Sequence, residues 1–275
     1  MTYLIADSGS TKTSWAYIDS DGRRQDFETK GINPVRDSEA TVGDTLSSLP
    51  ALPTPPSAIR FYGAGCIPPY SDAVSRLLAA RFPDADIRVE SDLLGAAHAL
   101  CGYREGIACI LGTGSNSCLY DGRRIAANMS PLGWILGDEG SGAVLGRLLV
   151  GQVLKGQFSP ALCRAFEAET GLTRAHVIDK VYRQPMPNRF LASLVPFLGR
   201  HRGEAEVRDF LVGEFRRFFR RNVAAYGRTD LPVSFVGGIA HTYTDELAEA
   251  ARLEGFTLGR ILQRPIDDIV AYVLG

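Results

Sequence analysis

The feature that most constrains this 275-residue chain is a pattern that occurs twice. Tyr3-Leu4-Ile5-Ala6 is an apolar run, Asp7-Ser8-Gly9-Ser10-Thr11-Lys12-Thr13 a turn of small residues, and Ser14 to Ile18 an alternating run. Asp19-Ser20-Asp21-Gly22 then turns the chain, and Arg23 to Thr29 returns. Period-two alternation bracketed by Asp-Gly is the signal of strands joined as hairpins. At residue 106 the order starts again. Ile107 to Leu111, the turn Gly112-Thr113-Gly114-Ser115, Asn116 to Tyr120, the turn Asp121-Gly122 and Arg123 to Ala127 follow one another. We read an internal duplication of a βββαβα unit, which predicts a two-lobed α/β fold rather than a single sheet or a helix bundle.

The remaining spacing fills in that plan. Helices are predicted over 37–49, 71–82 with Ser71 as N-cap, and 92–100, and strands over 59–63 and 87–89. Pro50 to Pro56 reads as a surface loop. Residues 140–226 read as mostly helical. Within them Val207, Phe210, Leu211, Phe215, Phe218, Phe219 and Val223 lie on one face of a helix over 204–223. Leu231 to Val236 reads as a strand, followed by Gly237-Gly238, a helix over 241–253 and a last helix over 265–273. The first lobe is then expected over residues 1–104, with the C-terminal segment 261–275 returning to it. The second is expected over 105–260 and carries a helical insertion.

Composition removes several classes of function. Lys and Arg number 30 against 31 Asp and Glu, a net charge of −1. No global basic field exists to attract nucleic acid or anionic lipid, and the stripe Arg216, Arg217, Arg220 and Arg221 reads as a solvated helix face. No run approaches the roughly 20 apolar residues of a spanning helix. The start of the chain lacks a cationic segment followed by a long apolar one, so no signal peptide is read. Five scattered cysteines without metal spacing read as reduced thiols, which places the protein in the cytoplasm. His98, His176, His201 and His241 share no ligand spacing.

Two Gly/Ser/Thr turns between hairpin strands, Asp7–Thr13 and Gly112–Ser117, present backbone N–H groups and hydroxyls to an anion, and glycine allows close approach. Neither is a Walker loop, because each enters a strand rather than a helix. One such turn is usually a tight hairpin and nothing more. Two at equivalent points of a duplicated fold suit a polyphosphate clamped between lobes. The strand Val233 to Val236 running into Gly237-Gly238 would let a flat ring such as adenine pack on backbone, or is simply a strand–helix turn. Asp92 follows a strand and opens a helix. It is either a proton acceptor for a hydroxyl or a carboxylate favoured by the helix dipole. Asp138 and Glu139 sit in a glycine-flanked loop with Trp134, where a carboxylate can accept two sugar hydroxyls or remain solvated.

These residues carry a resemblance. Asp7–Thr13, Gly112-Thr-Gly-Ser-Asn116 and Val236-Gly-Gly-Ile239 resemble the phosphate-1, phosphate-2 and adenosine motifs of the actin/hexokinase/heat-shock-chaperone ATPase superfamily. Gly31-Ile-Asn33-Pro, Ser91-Asp92, Gly112–Asn116 and Gly133-Trp-Ile-Leu-Gly-Asp138-Glu-Gly-Ser141 are similar to N-acetylglucosamine kinases and their BadF/BadG-type ATPase relatives, from residue 3 to about 270. The resemblance implies a duplicated ribonuclease-H-like, actin-like ATPase fold with a nucleotide cleft between its lobes. It implies ATP and Mg²⁺ as cofactors, with Asp7 holding the metal through water, and with Gly9, Ser10, Thr11, Lys12, Gly112, Thr113, Gly114, Gly237 and Gly238 around the nucleotide. Asn33, Ser115, Asn116, Gly133, Trp134 and Asp138 would hold an amino sugar, and Asp92 would be the catalytic base. The loop Tyr62-Gly63-Ala64-Gly65-Cys66 departs from the pattern, since relatives place a small hydroxyl residue there.

The implied activity is ATP-dependent phosphorylation of N-acetylglucosamine or a related hexosamine on its 6-hydroxyl. The rival is a BadF/BadG-type ATPase driving conformational change in a partner protein, although the cysteine motif that holds the activases' iron–sulfur cluster is not found. A third reading is a catalytically silent sugar sensor, for which no DNA-reading module or basic arm speaks. A homodimer is left open by the sequence.

Overall fold

Three strands open the chain: β1 (Tyr3–Ser8), β2 (Lys12–Ile18) and β3 (Arg24–Lys30). The computed structural model describes residues 1–9 and 11–275. Ser10, expected among the phosphate contacts, lies outside the described residues. β1 pairs antiparallel with β2, and β2 with β3. After α1 (Glu39–Ser47), β4 (Ala58–Gly63) adds to the other side of β1 in parallel. α2 (Ser71–Arg81) leads to β5 (Asp86–Ser91), parallel to β4, and α3 (Asp92–Cys101) follows at once. The sheet order is β3-β2-β1-β4-β5. β1 is central, and Leu4, Ile5 and Ala6 are fully buried, which explains its continuous apolar run. β3 is an edge strand and reads polar, with Phe27 its large apolar residue, stacked on Trp15.

The second half repeats this wiring. β6 (Glu105–Leu111), β7 (Ser115–Asp121) and β8 (Ile125–Met129) take the places of β1, β2 and β3. β9 (Val233–Val236) pairs parallel with β6, and β10 (Leu258–Leu262) parallel with β9. The order β10-β9-β6-β7-β8 is the first sheet's order read backwards, so the duplication is present in the topology. Between β8 and β9 lie α4 (Gly133–Leu136), α5 (Gly142–Leu154), α6 (Pro160–Thr170), α7 (Arg174–Tyr182), α8 (Pro187–Ala192), α9 (Pro196–Arg200) and α10 (Ala205–Phe218). α11 (Gly238–Thr242) and α12 (Thr244–Leu253) follow β9, and α13 (Ile266–Leu274) closes the chain. The result is a two-lobe α/β fold of the ribonuclease-H-like kind.

Two compact units result. One comprises Met1–Glu105, Tyr120–Ile125 and Arg264–Gly275, the other Gly106–Leu119 and Ala126–Gln263. The first has a core around Trp15, Tyr17, Ile59, Phe61 and Leu78. Inside it α13 packs on α3, with the Tyr272 ring stacked on His98 at 3.9 Å. The second has a core around Leu145, Leu211, Phe215, Phe218 and Phe235. Among the described residues, no helix is long and apolar enough to cross a membrane.

Several local expectations change. Ser71 is the first helical residue rather than the cap, because its N–H already donates to Ile67 O at 3.1 Å. The helix expected over 204–223 is α10 followed by a π-helical turn, Phe219–Val223. Its arginines are not a merely solvated stripe: Arg216 and Arg220 meet Glu254, Arg217 meets Glu214, and Arg221 meets Glu139. The helix expected over 241–253 is two helices broken at Tyr243, whose buried hydroxyl donates to Val195 O at 2.8 Å. β10 was not foreseen. It is a short edge strand with an irregular register, where Arg260 N–H bonds the Ser234 hydroxyl, and a Cβ at Gly259 would lie 2.3 Å from that oxygen.

Candidate functional site

In the first unit, the turn between β1 and β2 is built by its own backbone. Gly9 N–H donates to Lys12 O at 3.0 Å, and Gly31 N–H donates to Thr11 O at 3.0 Å. The buried hydroxyls of Ser8 and Thr13 share a hydrogen bond of 2.7 Å, and Ile32 N–H donates to Ser8 Oγ at 3.0 Å. Gly31 is sterically required: a Cβ there would lie 2.3 Å from Gly9 O and 2.8 Å from Thr11 N. A Cβ on Gly9 would meet only ordinary contact, Lys12 O at 3.7 Å. Lys12 Nζ is paired with Glu28 on β3, which Arg264 also meets at 3.3 Å, so its charge is already partnered within this unit.

Asp7 and Asp92 stand at the C-terminal ends of β1 and β5, the side of a parallel sheet where ligands collect. Burial pushes the Asp7 carboxyl up from 3.8 to about 7; repulsion from Asp92 adds to this, and Lys12 partly offsets it. Burial also lifts Asp92 from 3.8 to about 6, against the Leu93 N–H that donates to its Oδ1 at 2.9 Å. Ser91 caps the helix by accepting Leu94 N–H at 3.2 Å, which fixes Asp92 as the first residue of α3. Two close carboxylates that resist joint ionisation form a donor set that favours a cation. No group of three or more His, Cys, Asp or Glu suited to a metal occurs among the described residues. Mg²⁺ commonly takes one or two carboxylates and completes its shell with phosphate and water, so this pair fits it.

Asn33 belongs to the same unit. Its Oδ1 accepts Val35 N–H at 3.1 Å, and its own N–H donates to Asp37 Oδ2 at 2.8 Å. Gly65 presses on it, since a Cβ there would lie 2.3 Å from Asn33 Oδ1. Cys66, in the loop that lacks a small hydroxyl residue, is buried, and burial beside Asp92 pushes its thiol up to about 12, which makes it a poor nucleophile.

In the second unit, the turn between β6 and β7 has two faces. Gly112 and Thr113 line a cavity of about 690 Å³, together with Gly142, Pro196, Gly199 and Gly238. Cβ atoms at Gly112 and Gly238 would meet nothing within 4 Å, so these glycines leave room that a ligand can fill. Gly237 does different work: a Cβ there would lie 2.2 Å from Leu111 O, so its absence lets β9 close on β6. Arg200 and Arg202 also line the cavity, but Glu169 holds the first, and Asp245 with Glu246 the second. The wall is therefore mainly apolar side chain and backbone, which suits a neutral base and sugar. Pro196, Gly199, Arg200 and Arg202 carry no motif and were not foreseen as lining residues.

The other face of that turn meets the loop 133–141. Asp138 lies in the left-handed region with φ 50°, between Gly137 and Glu139. Its carboxylate accepts Ser115 N–H and sits so close to Gly114 that a Cβ there would be 3.1 Å from its Oδ2. Burial lifts the carboxyl from 3.8 to about 6. The loop is fastened on both sides of Asp138. Asp138 N–H donates to Pro131 O at 2.9 Å, and the buried Glu139 is held by Arg221 at 2.9 Å and Asn222 at 3.2 Å. Gly133 (φ 76°) begins α4, and Trp134 packs half-buried on the core. Ser115 is buried, and Asn116 is half-buried at the start of β7. Of the residues expected to hold the sugar, the structure thus brings Ser115 and Asp138 into direct contact, and seats Gly114, expected among the nucleotide contacts, beside them.

No family model matches the chain, and neither does any curated protein. Among solved structures it is similar to a protein of Porphyromonas gingivalis named "putative N-acetylglucosamine kinase", with 49% identity over 98% of each chain and a TM-score of 0.94. A Chromobacterium violaceum protein of the same printed name shares 23% identity over 99% of this chain and 98% of its own, with a TM-score of 0.75. The ethanolamine utilization protein EutJ from Carboxydothermus hydrogenoformans shares the fold at 16% identity, 100% and 90% coverage, and a TM-score of 0.57.

Proposed function

This chain belongs to the N-acetylglucosamine kinase family, and we propose from that premise that it is an ATP-dependent kinase of N-acetylglucosamine or a related hexosamine, acting on the 6-hydroxyl. The observation that carries the sugar in this reading is Asp138. A carboxylate held in a left-handed backbone conformation, half-desolvated and steadied by Ser115 N–H, is a costly arrangement in a bare loop and a useful one for accepting sugar hydroxyls.

Each residue then has a task. Gly112, Thr113 and Gly238 line the nucleotide cavity and leave it open to base and phosphates. Thr11 and Lys12 approach the phosphates, which compete with Glu28 for the lysine. Asp7 holds the metal, and bound Mg²⁺ supplies charge neutralisation for the transferring phosphoryl group. Asn33, Asn116 and Asp138 orient the sugar, with Gly133 and Trp134 shaping its loop. Asp92 accepts the proton of the attacking hydroxyl. Its carboxyl, raised to about 6, is mostly ionised at neutral pH yet basic enough to take a proton.

The test is ADP release across a panel of N-acetylated hexosamines, free hexosamines and plain hexoses. Release that requires an N-acetylhexosamine supports the reading. Release independent of any sugar would replace it with the partner-coupled ATPase.

A further inference from the structure

The strand pair β7–β8 holds a side-chain network around Asn116 in which Asn128 has so far been given no role. Asn116 Oδ1 receives two donors, Ser117 N–H at 2.9 Å and Asn128 Nδ2 at 2.9 Å. A backbone N–H can only donate, so the atom it meets must be the oxygen, and the Asn116 amide has one allowed orientation. Asn128 is fixed in the same way, because its Nδ2 also lies 2.7 Å from Ser117 O and 3.2 Å from Met129 O, both pure acceptors. The Asn116 Nδ2 hydrogens are left with no acceptor among the described residues, on a half-buried side chain beside Ser115.

We propose that Asn128 is a positioning residue that locks Asn116 as a hydrogen-bond donor, so that the sugar must present an acceptor oxygen to it. This rests on the kinase reading above and specifies its selectivity. A hydroxyl or an acetamido carbonyl satisfies such a contact, whereas an ammonium, itself only a donor, does not. The strand pairing has an independent fastener. Tyr226 Oη accepts Met129 N–H at 3.0 Å and shares a 2.7 Å hydrogen bond with Ser117 Oγ. Removing the Asn128 amide therefore leaves β7 and β8 joined.

The test compares wild type, Asn128→Ala and Asn128→Asp in the full chain. It reads sugar Kd by calorimetry, KM for sugar and for ATP, kcat and Tm. Asn128→Ala removes one of the two donors and is expected to weaken sugar binding by about two- to tenfold, the worth of one neutral hydrogen bond. Asn128→Asp sets a carboxylate against Asn116 Oδ1, which favours turning the amide round; sugar Kd and KM should rise more than in the alanine variant, by tenfold or more on the same scale. ATP KM and kcat should stay near wild type in both, with a modest fall in Tm in Asn128→Asp, whose carboxylate also faces Ser117 O and Met129 O. A sugar Kd in Asn128→Asp equal to that of wild type overturns the proposal, as does a fall in Tm and kcat alongside equal losses for both ligands, which would mark a structural role. The wild-type arm tests the kinase reading separately. If wild type binds no sugar in the panel, that reading and this proposal fall together; if wild type is a sugar kinase and the variants match it, only this proposal falls.

Discussion

Replacing Asp138 with Asn should separate stability from function. A carboxyl moved from 3.8 to about 6 by burial is disfavoured in its ionised form by at most about 3 kcal/mol, at 1.36 kcal/mol per pH unit, and by less to the extent that solvent screens its exposed part. The sign follows from linkage. The folded state holds this proton more tightly than the unfolded chain, so stability falls as pH rises from about 4 through about 6 and stays lower above that. Asparagine keeps the size, tolerates the left-handed φ of 50° and offers Oδ1 to Ser115 N–H, but it does not ionise. The apo variant should therefore match wild type near pH 4 and exceed it by up to about 3 kcal/mol near pH 7, several degrees in Tm for a chain of this length. Sugar binding should move the other way. Loss of a charged acceptor costs about 1.5–3 kcal/mol, which raises the sugar KM by roughly 10- to 150-fold while the ATP KM holds. Denaturant titrations at pH 4.5 and 7.5, paired with steady-state kinetics, read both. A variant no more stable than wild type at pH 7.5 would refute the burial argument. Unchanged sugar KM would remove Asp138 from the sugar site.

Asp92→Asn should fold and bind MgATP while sugar-dependent turnover falls by about 10²–10⁴, read as kcat beside circular dichroism; near-wild-type turnover would remove Asp92 as the base. Gly31→Ala should destabilise the first unit, because its Cβ would lie 2.3 Å from Gly9 O, whereas Gly238→Ala, whose Cβ meets open space, should keep Tm and raise the ATP KM. Thermal melts with both KM values check that contrast. His98, stacked on Tyr272 and sharing a 3.1 Å hydrogen bond with Tyr62 Oη, has its pKa lowered to about 4 by burial. The unfolded chain takes up that proton near pH 6.5 and the folded one does not, so this residue should cost stability as pH falls from 6.5 through about 4. His98→Phe should flatten that part of the stability–pH curve, measured by denaturant titration.

Much of this was legible from local pattern. The two meanders, the Asp-Gly turns, the apolar face of α10 and the Ser91-Asp92 helix start are short-range signals, and each appears as an element. Where sequence reasoning missed, a contact distant in the chain intervened. β10 is too short and irregular to announce itself and exists because β9 offers it an edge and Ser234 supplies an acceptor. The arginine stripe gave no hint that Glu139, Glu214 and Glu254 would partner it.

By itself the sequence determined the duplicated plan, since period-two runs and glycine turns are set by backbone geometry within a few residues. Tertiary structure alone decided how the functional groups are poised. It brought Asp92 close enough to Asp7 to raise the cost of ionising it, though 85 positions separate their numbers. It gave one turn two jobs, with Gly112 and Thr113 facing a cavity and Gly114 and Ser115 facing Asp138. It also fixed which way the Asn116 amide points. The reason is physical: a carboxylate's pKa and an amide's orientation depend on burial and on partners brought together by folding, and neither is carried by the residue that bears the group.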